Sequence, residues 1–439
     1  MAHGLKIAAA VASLALFPVA GSTASTLQTV YTFCSKSNCT DGKNPGGALT
    51  IDSSGALYGT TSGGGANNDG VVFKITANGH GKWKYQVLHE FCAKADCADG
   101  AGPFSTLVID TAGNLYGTTL GGGLGGLDGT VFELTPGAHH GHWKFKILYK
   151  FCSQSACADG MEPVGGLAYA GQSSGAVYDG VSPLYGATQS GGSQGHGAVY
   201  ELVEKSKSRR ESVIYNFCAS GGSCSDGAMP IAPVTVDAQS NVYGTTFQGG
   251  DADDGTVFEL TPNAGKTEWA QTVLHSFGTL ANNADGVSPA GQLLLGADGT
   301  LYGTAASGGS GTNCPQMSSG CGTLFKLAPD GGRSSFTLLY SFCNLANCAD
   351  GTAPEGNLLV NDTGALLGTT FGGGATNSGT AYSFKTGLGV LYSFCQIGPC
   401  SDGQSPEAGL AVDGTGNLFG TTTFGGGGLS GGVVYELVP

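Results

Sequence analysis

Short runs of apolar and β-branched residues, separated by turn residues, recur along the whole chain. Near the N-terminus four such runs cover residues 48–52, 56–61, 71–76 and 84–91. Segments rich in Ser, Asn and Gly separate them, as expected of turns. Runs of this length with aromatic and β-branched side chains are typical of buried strands. The pattern therefore predicts a unit of four short antiparallel strands.

This unit recurs seven times, and four marks define it. The second strand carries Leu-Tyr-Gly-Thr-Thr or a close variant, the third carries Gly, two small or apolar residues and an aromatic, and the fourth ends in aliphatic-Tyr/His-x-Phe. The loop after the fourth strand carries Asp-Gly-x-x-Pro, which begins at Asp41, Asp99, Asp159, Asp226, Asp285, Asp350 and Asp402. Seven units of four strands predict a β-propeller.

The two ends of the chain carry complementary parts of a unit. Residues 26–33 match a fourth strand, and residues 432–438 match a third strand. The first segment can therefore complete the last blade and leave no open edge. We predict an all-β protein, a seven-bladed β-propeller of four-stranded antiparallel blades whose ring is closed by the N-terminal strand. The alternative is an open solenoid, which has no reason to end on a complementary fraction of a repeat.

Composition narrows the class of partner. Of 439 residues, 79 are Gly, but without the three-residue period of collagen. The formal net charge is -14 with only 18 Lys and Arg, so nucleic acid is not an expected partner. Apolar content of 40% is enough for a packed core.

The N-terminus predicts export. A single Lys6, an apolar run over residues 7–20, and small residues at Ser22 and Ala24 match a signal peptide spanning residues 1–24. The propeller domain is then residues 25–439, secreted to the periplasm, cell surface or medium. No later run of 18 apolar residues occurs, so we expect no membrane span. A monomer is expected.

The cysteines predict disulfides rather than metal sites. Their number, 14, is even, and each has a neighbour close in sequence. Behind an export signal such pairs indicate local disulfides, with zinc as the alternative. The expected pairs are Cys34–Cys39, Cys92–Cys97, Cys152–Cys157, Cys218–Cys224, Cys314–Cys321, Cys343–Cys348 and Cys395–Cys400.

The repeat resembles the GloVer-type tandem-repeat family of exported bacterial proteins. The resemblance rests on strings such as Asp-Thr-Ala-Gly-Asn-Leu-Tyr-Gly-Thr-Thr at 110–119 and Gly-Thr-Val-Phe-Glu-Leu-Thr-Pro at 129–136. It covers nearly all of the chain after residue 24. It implies an exported, surface-associated protein, and it supplies no catalytic residue.

Departures from the repeat mark candidate binding residues. The position after the Pro of Asp-Gly-x-x-Pro holds Glu355 and Glu407 in the last two units and other residues elsewhere. Because this position opens the innermost strand, both carboxylates are expected at one mouth of the central channel. They are candidates for hydrogen bonding to sugar hydroxyls or for a cation, and solvated rim carboxylates are the alternative.

A second, weaker group lies in the loops before the third strand. Asp251, Asp253 and Asp254 are clustered oxygens that could contribute to a Ca²⁺ site, and His196 occupies the place of Asp254 in the third unit. The alternative for these aspartates is a turn-forming role beside Gly. No other cofactor motif is present, and two Gly-x-Ser-x-Gly strings lack the strand–helix context of a hydrolase.

Three hypotheses for function follow. The first is a binding or surface-interaction propeller whose ligand is a glycan or a protein at the cell envelope. The second is a carbohydrate-active lyase or hydrolase that uses acidic groups at the channel mouth. The third is a structural envelope protein.

Overall fold

Seven antiparallel sheets follow one another along the chain and form the blades of a closed ring, which confirms the propeller prediction. The computed structural model describes residues 25–438 except 80, 138–140, 206–207, 220, 312, 315–319, 331–332 and 428–430. Residues 1–24, where the signal peptide is predicted, lie outside the described part.

The strands are short and run in chain order from the inside of each blade to its outside. They are β1 Thr26–Thr32, β2 Thr50–Ile51, β3 Leu57–Thr61, β4 Val71–Ala77, β5 Trp83–Glu90, β6 Val108–Ile109, β7 Leu115–Thr119, β8 Thr130–Pro136, β9 Trp143–Lys150, β10 Leu184–Thr188, β11 Ala198–Lys205, β12 Ser208–Asn216, β13 Thr235–Val236, β14 Val242–Thr246, β15 Thr256–Pro262, β16 Trp269–Ser276, β17 Leu294–Leu295, β18 Leu301–Ala305, β19 Thr323–Asp330, β20 Arg333–Ser341, β21 Leu359–Val360, β22 Leu366–Thr370, β23 Thr380–Phe384, β24 Leu388–Ser393, β25 Ala411–Val412, β26 Leu418–Thr422 and β27 Val433–Val438. The helical segments among the described residues are short 3-10 turns at Ser37–Cys39, Ala95–Cys97, Ser155–Cys157, Gln172–Ser174, Ala281–Asn283 and Ala346–Cys348.

The blades follow the repeat. Blades 1 and 2 are β2–β5 and β6–β9, blade 3 is β10–β12, blades 4 to 6 are β13–β16, β17–β20 and β21–β24, and blade 7 is β25–β27 with β1. The second and third strands of each blade are almost fully buried, because both faces of a blade pack on neighbouring blades. The core therefore lies between blades.

Ring closure is formed as the two chain ends predict. Strand β1 pairs antiparallel with β27, from Thr26 opposite Val438 to Thr32 opposite Val433. Phe33, which is 2% exposed, packs with residues of both blade 7 and blade 1. Hydrogen bonds and apolar contacts thus join the first and last blades.

Blade 3 departs from the four-stranded pattern. Its innermost position is a single bridge between Ala168 and Tyr185 rather than a strand. The segment that follows, residues 171–183, folds onto blade 2, where Tyr178 is fully buried and bridges Asp110. Arg209 fixes this insertion, since its Nη2 donates to the Tyr178 hydroxyl at 2.8 Å.

The aspartate of Asp-Gly-x-x-Pro binds the loop that precedes it. Asp350 Oδ2 accepts the Tyr340 hydroxyl at 2.7 Å and the Asn344 N–H at 2.9 Å. Its Oδ1 accepts the Leu345 N–H at 3.1 Å. The buried carboxylate therefore holds the preceding cysteine loop and the end of the fourth strand together, because those N–H groups point away from the sheet and need an acceptor.

In two units a histidine stands at the position equivalent to Tyr340. His275 Nε2 lies 3.2 Å from Asp285 Oδ2, and its ring stacks on Phe336 with centroids 4.1 Å apart. His89 stacks on Phe145 in the same way. Both histidines therefore pack against an aromatic ring of the next blade and lie close to the aspartate.

All seven predicted disulfides are present. No free cysteine remains among the described residues, so the zinc alternative loses its thiolate ligands. Disulfides of this number are typical of proteins that fold in an oxidising compartment. In the described part of the chain no helix is long and apolar enough to cross a membrane.

Candidate functional site

Two loops of each blade lie together on one face of the ring. The glycine-rich loop between the second and third strands pairs with the Asp-Gly-x-x-Pro loop of its own blade, for example through an antiparallel bridge between Lys43 and Gly63. The same bridge recurs in every blade. This face therefore carries seven paired loops around the channel mouth.

The residues after the seven prolines converge on one cavity. It has a volume of about 260 Å³ and opens at the channel mouth. The seven post-proline residues that line it are Gly46, Phe104, Val164, Ile231, Ala290, Glu355 and Glu407. The sequence prediction that Glu355 and Glu407 flank the mouth together is thus met by the geometry.

Threonine hydroxyls fix the strand starts that form the mouth. The Thr60 hydroxyl donates to the Ser105 carbonyl of the next blade at 3.0 Å. The Thr369 hydroxyl donates to the Ala408 carbonyl at 2.8 Å. Each acceptor lies two residues after a proline, so the first Thr of Leu-Tyr-Gly-Thr-Thr positions the mouth-lining segment of its neighbour.

Glycine lets these segments approach closely. A Cβ on Gly47 would lie 2.6 Å from the Ser105 carbonyl oxygen, and a Cβ on Gly165 would lie 2.8 Å from the backbone of Ala232. Neither distance is possible for a side chain, so only glycine lets neighbouring blades approach this closely at the channel mouth.

The mouth has two chemically different sides. Phe104, Val164 and Ile231, from blades 2 to 4, form an apolar wall. Glu355 and Glu407, from blades 6 and 7, form an acidic wall. The sequence analysis singled out the carboxylates but missed the apolar wall. The apolar wall could have been predicted from the same post-proline positions, because three consecutive units have a large apolar residue there.

Burial favours the neutral form of both carboxyl groups and so raises their pKa values. It raises the pKa of Glu355 to about 7, and the charge of nearby Glu407 adds to the shift. Burial also raises the pKa of Glu407, while a hydrogen bond from the Thr423 hydroxyl at 3.0 Å opposes that shift. The interpretation of these groups as freely solvated rim carboxylates does not fit their partly buried positions.

Replacing Glu355 by Gln should stabilise the protein at high pH. The pKa of Glu355 is higher in the folded protein than its ordinary value of 4.5, so the folded state binds this proton more tightly. The cost of the charge is absent below about pH 4.5, grows up to about pH 7 and is complete above it. We expect the stability of Glu355→Gln to match that of the parent at low pH and to exceed it by about 3 kcal/mol at high pH.

Melting temperatures of parent and variant across this range test the expectation. Glu268→Gln, a substitution of an exposed carboxylate on the outer rim, is the matched control and should show no such divergence. Equal melting temperatures of the parent and Glu355→Gln at every pH would mean that Glu355 is well hydrated.

The second predicted group does not join the mouth. Asp251, Asp253 and His196 are exposed, and Asp254 is partly buried. Asp253 Oδ1 accepts the Gly249 N–H at 2.9 Å, which is the turn-forming role offered as the alternative. Among the described mouth-lining residues none belongs to this group. A Ca²⁺ site at these aspartates stays a prediction.

His196 lies near the Cys218–Cys224 disulfide, within 4.8 Å between candidate ligand atoms. Because these sulfurs are bonded to each other, they are not thiolate ligands. The geometry therefore gives His196 no partner set for a metal ion among the described residues.

Comparisons with known proteins bear on the family and the overall shape. A protein described as a candidate 6-phosphogluconolactonase from Bacteroides uniformis has 13% identity, covers 84% of this chain and 96% of its own, and gives a TM-score of 0.48. The PQQ-bound aldose sugar dehydrogenase of Streptomyces coelicolor has 11% identity over 94% of this chain and 98% of its own, with a TM-score of 0.42. No likeness of this size assigns a reaction.

No curated protein sequence matches the chain significantly. The Gloeobacter/Verrucomicrobia repeat, in contrast, matches residues 16–183 and 172–435, which together span nearly the entire sequence. The chain belongs to the Gloeobacter/Verrucomicrobia repeat family.

Proposed function

We propose that this protein is an exported binding propeller whose channel mouth holds one unit of a glycan. The observation that carries the proposal is the broken symmetry of the mouth. Seven equivalent positions converge on one cavity, yet three adjacent blades supply apolar side chains and two supply carboxylates. A purely structural ring has no need for such a division.

The chemistry of the two walls suits a sugar. Carboxylates accept hydrogen bonds only, and sugar hydroxyls are donors that can serve both oxygens of each glutamate. The C–H face of a sugar ring is apolar and can rest against Phe104. The cavity, about 260 Å³, lies near the lower end of ligand-site volumes, which fits one sugar unit rather than a long chain segment.

A donor-rich ligand would also relieve the cost of the carboxylates. Hydrogen bonds to an ionised carboxylate stabilise the charged form and lower its pKa. Glu355 lacks any such donor among the hydrogen bonds of the described residues, whereas Glu407 has the Thr423 hydroxyl. Ligand binding is therefore expected to favour ionisation of Glu355 and to weaken as pH falls below about 7.

Export agrees with this function. The predicted signal peptide and the seven disulfides support export to a compartment where envelope and environmental glycans occur. The family resemblance adds an expectation of a surface-associated protein.

An array of mono- and oligosaccharides tests the proposal. The mature protein, residues 25–439, is applied beside the double variant Glu355→Gln/Glu407→Gln and the control Glu268→Gln. We expect the parent and the control to retain the same glycans. The double variant should bind them at least tenfold more weakly, a loss of about 1.4 kcal/mol, because Gln keeps the shape of Glu but removes the charge of two acceptors.

Two outcomes would contradict the proposal. Retention of no glycan by the parent would favour a structural protein or a protein ligand. Equal retention by the parent and the double variant would move the binding site away from the mouth.

One observation favours a carbohydrate-active enzyme as a second candidate. The two carboxylates have different surroundings: Glu355 has the raised pKa of a general acid, and Glu407 is held by a hydroxyl donor. Pairs of carboxylates in unlike environments are typical of acid–base catalysis on sugars. Release of reducing ends from a retained glycan, abolished by Glu355→Gln, would establish this activity, whereas unchanged glycan after prolonged incubation would exclude it.

A further inference from the structure

A second cavity lies on the opposite face, between the outer strands of blade 1 and the described residues at the end of β8 and the start of β9 in blade 2. Its volume is about 570 Å³. The side chains that matter here are Lys74, Lys84 and Gln86 from β4 and β5, and His142 and Trp143 from blade 2. We call it the rim pocket. It is remote from the channel mouth, because β4 begins at the mouth face and ends at the other.

The rim pocket is basic in an acidic protein. The chain has 32 acidic residues and 18 basic ones. Yet the described residues that line this pocket include two lysines and a histidine, and no Asp or Glu. None of the ion pairs among the described residues involves Lys74 or Lys84.

Strand register places the two lysines on one face. Lys74 lies opposite Gln86, and Thr76 lies opposite Lys84. Residues paired in this way and residues two apart project to the same side of a sheet. Lys74 and Lys84 are therefore diagonal neighbours whose positive charges repel each other. The Lys74 ammonium makes a cation–π contact with the Tyr58 ring and lies 4.9 Å from the ring centroid.

The repeat provides an internal comparison. The position of Lys74 is a glutamate in four other blades, Lys326 in blade 5 and Ser383 in blade 6; the glutamates are Glu133, Glu201, Glu259 and Glu436. In blade 2 the residue opposite Glu133 is Lys146, and the two form an ion pair at 3.7 Å. In blade 1 the position is reversed in charge and faces neutral Gln86. Blade 1 thus has a lysine without a carboxylate partner at this position, where the pocket opens.

The remaining lining favours a ring-shaped anion over a small ion. Gln86 Nε2 donates to the Gly141 carbonyl at 3.1 Å, so its side-chain carbonyl is left to accept a hydrogen bond. The Thr76 hydroxyl lies on the same face, and Trp143 adds an aromatic surface. Two cations, neutral hydrogen-bonding groups and an indole are the groups that recognise a carboxylated sugar.

We propose that the rim pocket binds the uronic-acid unit of an acidic saccharide. Lys74 and Lys84 bind the carboxylate, Gln86 and Thr76 bind ring hydroxyls, and Trp143 contacts the apolar face of the ring. This site is independent of the glycan site at the channel mouth, and its success or failure does not depend on that proposal.

Calorimetric titration of residues 25–439 with trigalacturonate tests the proposal. The variant is Lys74→Gln/Lys84→Gln. The matched control is Lys36→Gln/Lys94→Gln, which changes the net charge equally through two exposed lysines on the other face. Fully methyl-esterified trigalacturonate tests the need for the carboxylate, and inorganic phosphate tests for a simple anion site.

We expect the parent and the control to bind trigalacturonate with equal affinity. The rim variant should bind at least tenfold more weakly, and the methyl ester should not bind. Added salt should weaken binding, because exposed cations are screened. If the rim variant unfolds, the single Lys84→Gln variant, at an exposed position, should still bind more weakly than the parent.

Three results would overturn the proposal. The parent fails to bind trigalacturonate at millimolar concentration, the rim variant binds as well as the parent, or phosphate binds as tightly as trigalacturonate. The last result would identify a simple anion site.

Discussion

Deletion of residues 25–33 is expected to lower the melting temperature by about 10 °C or more. The deletion removes the outer strand of blade 7, which has seven residues, six of them paired with β27. It also removes Phe33 and Val30 from the core shared by blades 7 and 1. A buried Phe alone contributes about 3–5 kcal/mol when truncated to Ala. The exposed edge of β27 should in addition promote aggregation, because its backbone groups lose their partner strand.

A synthetic peptide of residues 25–36 provides the control for this deletion. Added in excess to the shortened protein, it should pair with β27 and restore part of the melting temperature. A scrambled peptide of the same composition should have no effect. Thermal unfolding followed by circular dichroism measures all four samples. An unchanged melting temperature after the deletion would show that β1 does not close the ring.

Replacing Asp350 by Ala is expected to destabilise the protein by about 3–5 kcal/mol, since it leaves buried donors without their charged acceptor. The carboxylate is fully buried and accepts the Tyr340 hydroxyl and the N–H groups of Asn344 and Leu345. The loop that it holds leads directly to Glu355, so the variant should also disturb the mouth.

Denaturant unfolding of Asp350→Ala, compared with Asp362→Ala, measures this effect. Asp362 is exposed in a turn of the same blade, and its replacement should cost under about 0.5 kcal/mol. Asp350→Asn, which keeps one acceptor oxygen, should fall between the two. Equal stability of the two Ala variants would contradict the role of Asp350 in holding the cysteine loop to the end of the fourth strand.

The sequence predicts the ring because each unit repeats its chemistry. The post-proline position could be followed through all seven units, and this alone brings Glu355 and Glu407 to one mouth. The hydrogen bond between Tyr340 and Asp350 was not predicted, because the two residues belong to different motifs of the repeat. Their constant spacing, also seen for Tyr392 and Asp402, was the available signal.

Other features depend on contacts between blades and were not predictable from a single unit. The missing innermost strand of blade 3 follows from the insertion after residue 170, which packs Tyr178 onto blade 2. The rim pocket needs Lys74 of one blade and Trp143 of the next. Periodicity within a unit carries no information on such pairs.

Filling the channel mouth tests the central claim most directly. Ala290 lines the cavity between the apolar and acidic walls, and its replacement by Phe occupies the cavity without changing any charge. The measurement is the dissociation constant of the best-retained glycan for the parent and for Ala290→Phe, after equal melting temperatures have established that both are folded. If the mouth is the binding site, the variant binds at least tenfold more weakly; an unchanged dissociation constant would place the ligand elsewhere on the ring.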